Sequence, residues 1–142
     1  MSIVNTHILL PASIQQSQLS YVVIAARENE KWIFVRHRER KTWEIPAGHI
    51  EPEENADQAA YRELREETGT VRATLKHLCD YQVTVEGKTE SGRLYSAEVH
   101  EREPNLEHEI EEVRLSSDLP SSLTYPEVQT VLFEHAKELL RS

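Results

Sequence analysis

Glu63, Glu66 and Glu67 stand at i, i+3 and i+4 in the chain. On a helix, at about 100° per residue, all three carboxylates would project within an arc of roughly 100°, which is one face. Like charges at these spacings repel by roughly 0.2–0.5 kcal/mol per pair, so crowding them costs stability unless a cation neutralises them. Oxygen donors with no thiolate and no paired histidine select hard ions, Mg2+ or Mn2+, over zinc. The competing reading is a solvated helix face balanced by Arg62 and Arg65, and the glutamates alone do not decide between the two.

The surrounding residues do decide. From Gly48, five residues lead to Glu54 and seven more to Arg62-Glu63-Leu64, after which come Arg65, Glu66-Glu67, Thr68 and Gly69. This order resembles the Nudix box, G-x5-E-x7-R-E-U-x-E-E-x-G-U with U aliphatic. Residues 48–70 satisfy every fixed position but the last, where Thr70 is a mild β-branched substitution. With this composition, a chance match to the fixed residues is on the order of 10⁻⁶. The resemblance extends to residues 32–36, to the Trp43-Glu44-Ile45-Pro46-Ala47-Gly48 approach, to Glu109-Ile110-Glu111-Glu112-Val113, and to the segment after Tyr125-Pro126.

Similarity to the Nudix hydrolases implies an α+β fold, an αβα sandwich with a central mixed sheet. It implies Mg2+ or Mn2+ as cofactor and attack of water on a phosphorus of a nucleoside diphosphate linked to another group. Carried over by position, Glu63, Glu66 and Glu67 match the metal-ligand glutamates, with Glu67 innermost, and the Gly48 carbonyl matches the loop ligand. Glu54 and Arg62 match an ion pair that orients the loop. A base or further ligand from a later loop falls on Glu109, with Glu107 as alternate and Glu111 and Glu112 beside it; His108 is a further candidate, and a solvated acidic loop is the other reading of all of them. Subfamily markers for ADP-ribose and for diadenosine substrates are absent where Val85, Glu86 and Gly87 stand. The expectation is therefore a MutT-like NTP or dNTP pyrophosphohydrolase, with an oxidised purine nucleotide such as 8-oxo-dGTP included. An ADP-ribose or nucleotide-sugar diphosphatase and a non-catalytic binding module are the alternatives.

The elements that must position these residues follow from periodicity. Residues 19–26 and 31–37 read as two strands of a hairpin turning at 27–30, and 43–45 as a short strand ending at Pro46. Ala56, Ala59, Ala60 and Leu64 recur at helical spacing, with Asn55 and Gln58 as a capping box and Gly69 as the C-terminal stop. Residues 72–85 and 93–99 read as longer strands joined by a flexible connector over 86–92, and 113–115 as a last short strand. Thr124 with Glu127 reads as a second capping box, opening a terminal helix whose buried face carries Val128, Val131, Leu132, His135 and Leu139. No repeat or long linker divides residues 1–142, so one domain is expected.

Among basic residues, Arg36 and Arg38 at the end of a strand are candidates for bidentate phosphate contacts, and an ordinary hairpin surface is the alternative. Trp32, Trp43, Tyr21 and Tyr81 are either core or stacking surfaces for a base, and Cys79 reads as a small buried hydrophobe. A lone cysteine and no secretory or membrane-length apolar run point to a cytoplasmic setting without membrane contact. The net charge of −9 argues against a nucleic-acid polymer as partner. Residues 51–67 and 101–112 each net −5, leaving the remainder close to neutral, so the charge is largely a divalent-metal site and the partner a small nucleotide. A homodimer is compatible with the resemblance, although no stripe marks an interface.

Overall fold

The computed structural model describes residues 3–103 and 109–140. Its elements are β1 (Val4–Leu9), β2 (Tyr21–Glu28), β3 (Lys31–His37), β4 (Ala47–His49), α1 (Ala56–Thr68), β5 (Thr70–Val85), β6 (Lys88–Arg102), β7 (Ile110–Ser116) and α2 (Pro126–Leu140). The seven strands form a mixed sheet in the order β1-β5-β6-β2-β3-β7, with β4 paired to β2 off that path. The fold is α+β, as the sequence implies.

β2 runs parallel to β6 in the middle of the sheet. Its residues 22–26 are all buried, because a central strand covered on both faces must be apolar on both. Alternation then splits the core. Val22, Ile24 and Ala26 face α1 with Ala56, Ala59, Ala60 and Leu64, whereas Val23 and Ala25 face α2 with Leu132, Phe133 and Ala136. The two helices therefore cover opposite faces.

α1 has the expected ends. Asn55 accepts from the Gln58 amide while the Gln58 side chain accepts from the Asn55 amide, and Gly69 stops the helix at φ 77° in the left-handed region. Four expectations are corrected. Within residues 43–45 there are only isolated bridges, Glu44 with Val35 and Trp43 with Leu123. The strand forms just after Pro46, where Ala47, Gly48 and His49 pair with Val23, Val22 and Tyr21. The connector over 86–92 shrinks to Glu86-Gly87, both at positive φ, and the ladder continues through Thr84↔Thr89 and Val83↔Glu90; two such residues close a tight hairpin. β1, not anticipated, pairs antiparallel with β5.

The remaining two corrections concern α2. The Thr124 hydroxyl bonds to Thr42 at 2.6 Å instead of capping the helix, and the amides of Val128 and Gln129 donate to the Tyr125 carbonyl. The buried face is Gln129, Leu132, Phe133 and Ala136, while Val131 and Leu139 are exposed. The polar residue explains the rotation. Gln129 is 3% exposed; its amide oxygen accepts from the Ile45 amide at 2.8 Å and its nitrogen donates to the Ile45 carbonyl at 3.4 Å. This pair fastens α2 to the segment leading into β4.

Asp80 on β5 is wholly buried. It accepts from Arg93 at 2.7 and 3.2 Å, from the Ile14 amide at 2.9 Å, and pairs with His77 at 2.8 Å. Burial pushes its pKa up, but Arg93, the Ile14 amide and His77 together outweigh burial and hold its carboxyl below the usual range. A carboxyl lowered by folding stabilises the protein above its unfolded pKa of about 3.9, and that contribution disappears as pH falls through the folded value. Asp80→Asn is expected to lower unfolding free energy by roughly 2–4 kcal/mol at pH 7, read by denaturant titration. The gap from the parent should shrink steadily below about pH 4; a gap that holds constant to pH 2 would exclude the ionised role.

Candidate active site

α1 presents Glu63 and Glu67 inward against β4, because Leu64 and the alanines fix its rotation on the sheet. Gly48 closes over Glu63. A Cβ on Gly48 would stand 2.1 Å from Glu63 Oε1, so only a glycine lets backbone and carboxylate meet this closely. Burial, then the neighbouring Glu67, push the Glu63 carboxyl up to about 7, against the pull of Arg62. Glu67 is 6% exposed. Its Oε1 accepts from the Ala47 amide at 2.9 Å and its Oε2 lies 3.4 Å from His37 Nε2. Burial raises its carboxyl above the ordinary range despite those two partners. Glu66, one turn from Arg62, is more open to solvent.

Arg62 ties the loop to the helix. Its Nε and Nη2 bond to the two oxygens of Glu54 at 2.9 and 2.6 Å, and Nη2 also donates to the His49 carbonyl at 2.9 Å. Nη1 reaches Glu63 at 2.9 Å and Glu66 at 3.3 Å. Hydrogen bonding to Arg62 holds the Glu54 carboxyl below its usual range. Glu54 and Arg62 therefore bind the segment between β4 and α1.

A second polar chain was not anticipated. His37 stands 3.4 Å from Glu67 and 3.6 Å from Glu44. Glu44 is buried, Arg40 donates to it at 2.6 Å, and the Arg40 guanidinium lies 5.5 Å from the centre of the Tyr125 ring. The hydrogen bond that His37 donates to Glu67 is the leading cause that raises the His37 pKa, opposed by burial. No spacing in the sequence marks this chain. His37 ends β3, and Glu44 sits between two apolar residues that read as strand.

Gly48, Arg62, Glu63, Glu67, His37, Glu44 and Arg40 line a cleft of about 680 Å³ that also takes in Tyr21, Val23, Tyr81, Val83, Glu90 and Gln129, whereas Glu54 and Glu66 do not line it. Glu109 lines it as well, while its carbonyl accepts from the Arg38 amide at 2.9 Å. Arg36 and Arg38 do not line it. Arg36 pairs with Glu112 at 3.4 Å and Arg38 with Glu111 at 3.6 Å. Arg40, three residues beyond the end of β3, lines it instead. Of the four candidate stacking residues, Tyr21 and Tyr81 face the cleft, whereas Trp32 packs on Phe133 and Trp43 carries Arg114 at 4.1 Å. Cys79 is buried. Glu107 and His108 lie outside the described residues.

Among the described residues no three acidic, His or Cys side chains stand gathered as a finished cation cage; Glu63 and Glu66 both turn to Arg62. The residues nonetheless fit a hard divalent ion. The donors are oxygens, a backbone carbonyl at Gly48 can approach because a Cβ is missing there, and Glu63 and Glu67 oppose each other's ionisation, an excess of negative charge that a cation relieves. Gly48→Ala must displace only the far end of Glu63. It is expected to fold normally and to bind Mn2+ about 10–100-fold more weakly in a titration. Arg62→Ala should cost roughly 2–4 kcal/mol of stability by leaving Glu54 and Glu63 half-buried without their cation. Arg62→Lys should recover only part, because an ammonium cannot match the two-point contact with Glu54; full recovery in a melting experiment would refute the fork geometry.

A sequence model of the NUDIX domain matches residues 17–134. The Bacillus subtilis (strain 168) protein named "Putative 8-oxo-dGTP diphosphatase YtkD" is 33% identical over 105 residues, which is 73% of this chain and 66% of that protein. A second protein of that strain, "Putative 8-oxo-dGTP diphosphatase", is 35% identical over 60 residues, 42% of this chain and 40% of its own length. The chain thus spans just under two thirds of the first relative and less of the second. Among solved structures, the Bacillus subtilis pyrophosphohydrolase BsRppH superposes with a TM-score of 0.77 at 25% identity, covering 96% of this chain and 90% of that one. A UDP-X diphosphatase shares the fold at TM-score 0.70 and 19% identity, over 92% and 66%. With the pattern matched across most of its length, the chain belongs to the Nudix family of hydrolases, which generally use divalent metals and act on small nucleotides.

Proposed function

We propose that this protein hydrolyses a nucleoside or deoxynucleoside triphosphate, oxidised purine forms included, to the monophosphate and pyrophosphate with Mg2+ or Mn2+. The observation that carries this reading is one continuous cleft with Glu63, Glu67 and Gly48 at one end, an apolar wall of Tyr81, Val83 and Val85 at the other, and the Tyr21 ring on the strand between them. Such a cleft suits a ligand that is phosphate at one end and base at the other. The names of the two Bacillus relatives support the choice of substrate.

Glu63, Glu66, Glu67 and the Gly48 carbonyl would hold the divalent ion, which when bound neutralises phosphate charge and makes a water more acidic. Glu109, at the cleft, takes the proton as the water oxygen bonds to phosphorus and the bridging P–O bond breaks. Arg40, with Glu44 behind it, meets the phosphates that the leaving group carries away. Arg62 and Glu54 keep the loop in place and touch no reacting atom.

Glu67→Gln is expected to lower kcat by roughly 100-fold or more while the protein remains folded by circular dichroism. The panel that tests it contains the common triphosphates, 8-oxo-dGTP, ADP-ribose and a dinucleoside polyphosphate, each with and without Mg2+. Preferred turnover of ADP-ribose would move the assignment to the other diphosphatases. Absence of metal-dependent turnover on all of them would leave a binding module.

A further inference from the structure

The far end of the cleft can be placed by the strand ladder. Gly48 pairs with Val22 on β2, the neighbouring Tyr21 pairs with Gly92 on β6, and Gly92 pairs with Tyr81 on β5. Three strand spacings put Tyr81 about 14 Å from Gly48, room for phosphate, sugar and base laid end to end. Tyr81 lies flat over Gly92, where a Cβ would stand 2.3 Å from its Cζ. Tyr21 leans on His49 at 4.5 Å between ring centres. Val4, Val83 and Val85 complete an apolar wall.

A single strand position sets a carboxylate against that wall. Glu90 lies two residues before Gly92 on β6 and opposite Val83, so it shares their face of the sheet and lines the cleft. Glu44, Glu63 and Glu67 at the other end are each engaged by a cation or an amide. Glu90 lies near the Tyr21 hydroxyl, and interaction with this carboxylate together with burial pushes the phenol up to about 12. A carboxylate has about four acceptor positions, so this interaction leaves most of them available.

We propose that Glu90 reads the base, accepting from the adjacent N1–H and N2–H donors of a guanine edge, and that the enzyme therefore prefers guanine to adenine nucleotides. The inference rests on the nucleotide-hydrolase reading above. Two neighbouring donors match the two oxygens of a carboxylate, and the charge strengthens both bonds. Adenine turns a lone pair at N1 toward the same group and meets repulsion. Oxidation at C8 leaves this edge unchanged, so guanine and its oxidised form are read alike. Glu90 is solvent-exposed, so the preference expected is about ten-fold and not the far larger factors of buried readout.

The test compares kcat/KM for dGTP, dITP and dATP, and calorimetric affinity for GDP and ADP, in the parent and in Glu90→Gln. The parent should prefer dGTP to dATP about ten-fold, with dITP between them because it lacks the N2 donor. Glu90→Gln should bring the ratio close to one through KM with little change in kcat, and Glu90→Asp should restore part of it. A parent ratio near one, or a ratio that Glu90→Gln leaves intact in a protein that melts like the parent, overturns the inference. Failure of the hydrolase reading looks different: no nucleotide is turned over, and the GDP-to-ADP affinity ratio with its loss in Glu90→Gln still decides the role of Glu90.

Discussion

The guanidinium of Arg62 is the contact on which the geometry of the site depends. It is bound in two directions to Glu54, in a third to the His49 carbonyl, and on its remaining nitrogen to Glu63 and Glu66. A planar group with five donors can hold a loop backbone, a loop carboxylate and two helix carboxylates at once, which no ammonium can do. The segment from β4 to α1 has few apolar residues of its own to pack. Its position is set from outside, by Arg62 on one side and by the β4 ladder to β2 on the other.

The sheet divides the labour between its faces. On one face the alanines and Leu64 of α1 lie so close to β2 that the helix cannot rotate, and small side chains are what permit that approach. Rotation fixed there determines where Glu63 and Glu67 point. On the other face α2 ends its first turn at Gln129, whose amide grips Ile45. The cleft is the gap left between the start of α2, the β4 loop and the exposed ends of β5 and β6. Its walls are therefore backbone-anchored on three sides, the kind of support that holds reacting groups in place.

The legible part of the sequence was whatever depends on short range. α1, its caps and the box glutamates could be read because capping and helical spacing are local, and β2 and β3 because their apolar runs are dense. The buried face of α2 differs from the hydropathy pattern because its anchor is Gln129, which hydropathy assigns to solvent. The connector over 86–92 reads longer than the turn at Glu86-Gly87 because Thr89, Glu90 and Ser91 are polar, although they continue a ladder. His37, Glu44 and Arg40 assemble only when the end of β3 meets the residues before β4, and no one-dimensional pattern records that meeting. Arg36 and Arg38 showed the converse. Their type and strand-end position suited phosphate, but the pairing of β3 with β7 sets them beside Glu112 and Glu111.

The distances around Arg62 also rank the carboxylates by how free they are to change partner. Glu54 accepts two strong bonds from Arg62 and one from the Glu51 amide at 2.9 Å, so it is fully committed to the loop. Glu63 and Glu66 each take one of the two hydrogens on a single nitrogen, at 2.9 and 3.3 Å, so each has one bond from Arg62 where Glu54 has two. Glu67 has the Ala47 amide on one oxygen and His37 on the other, which orients it without neutralising it while the imidazole is uncharged. A divalent cation competing for these groups meets least resistance at Glu63, Glu66 and Glu67 and most at Glu54. Glu54 is thus set apart from Glu63, Glu66 and Glu67 by hydrogen-bond count, although Arg62 reaches three of the four.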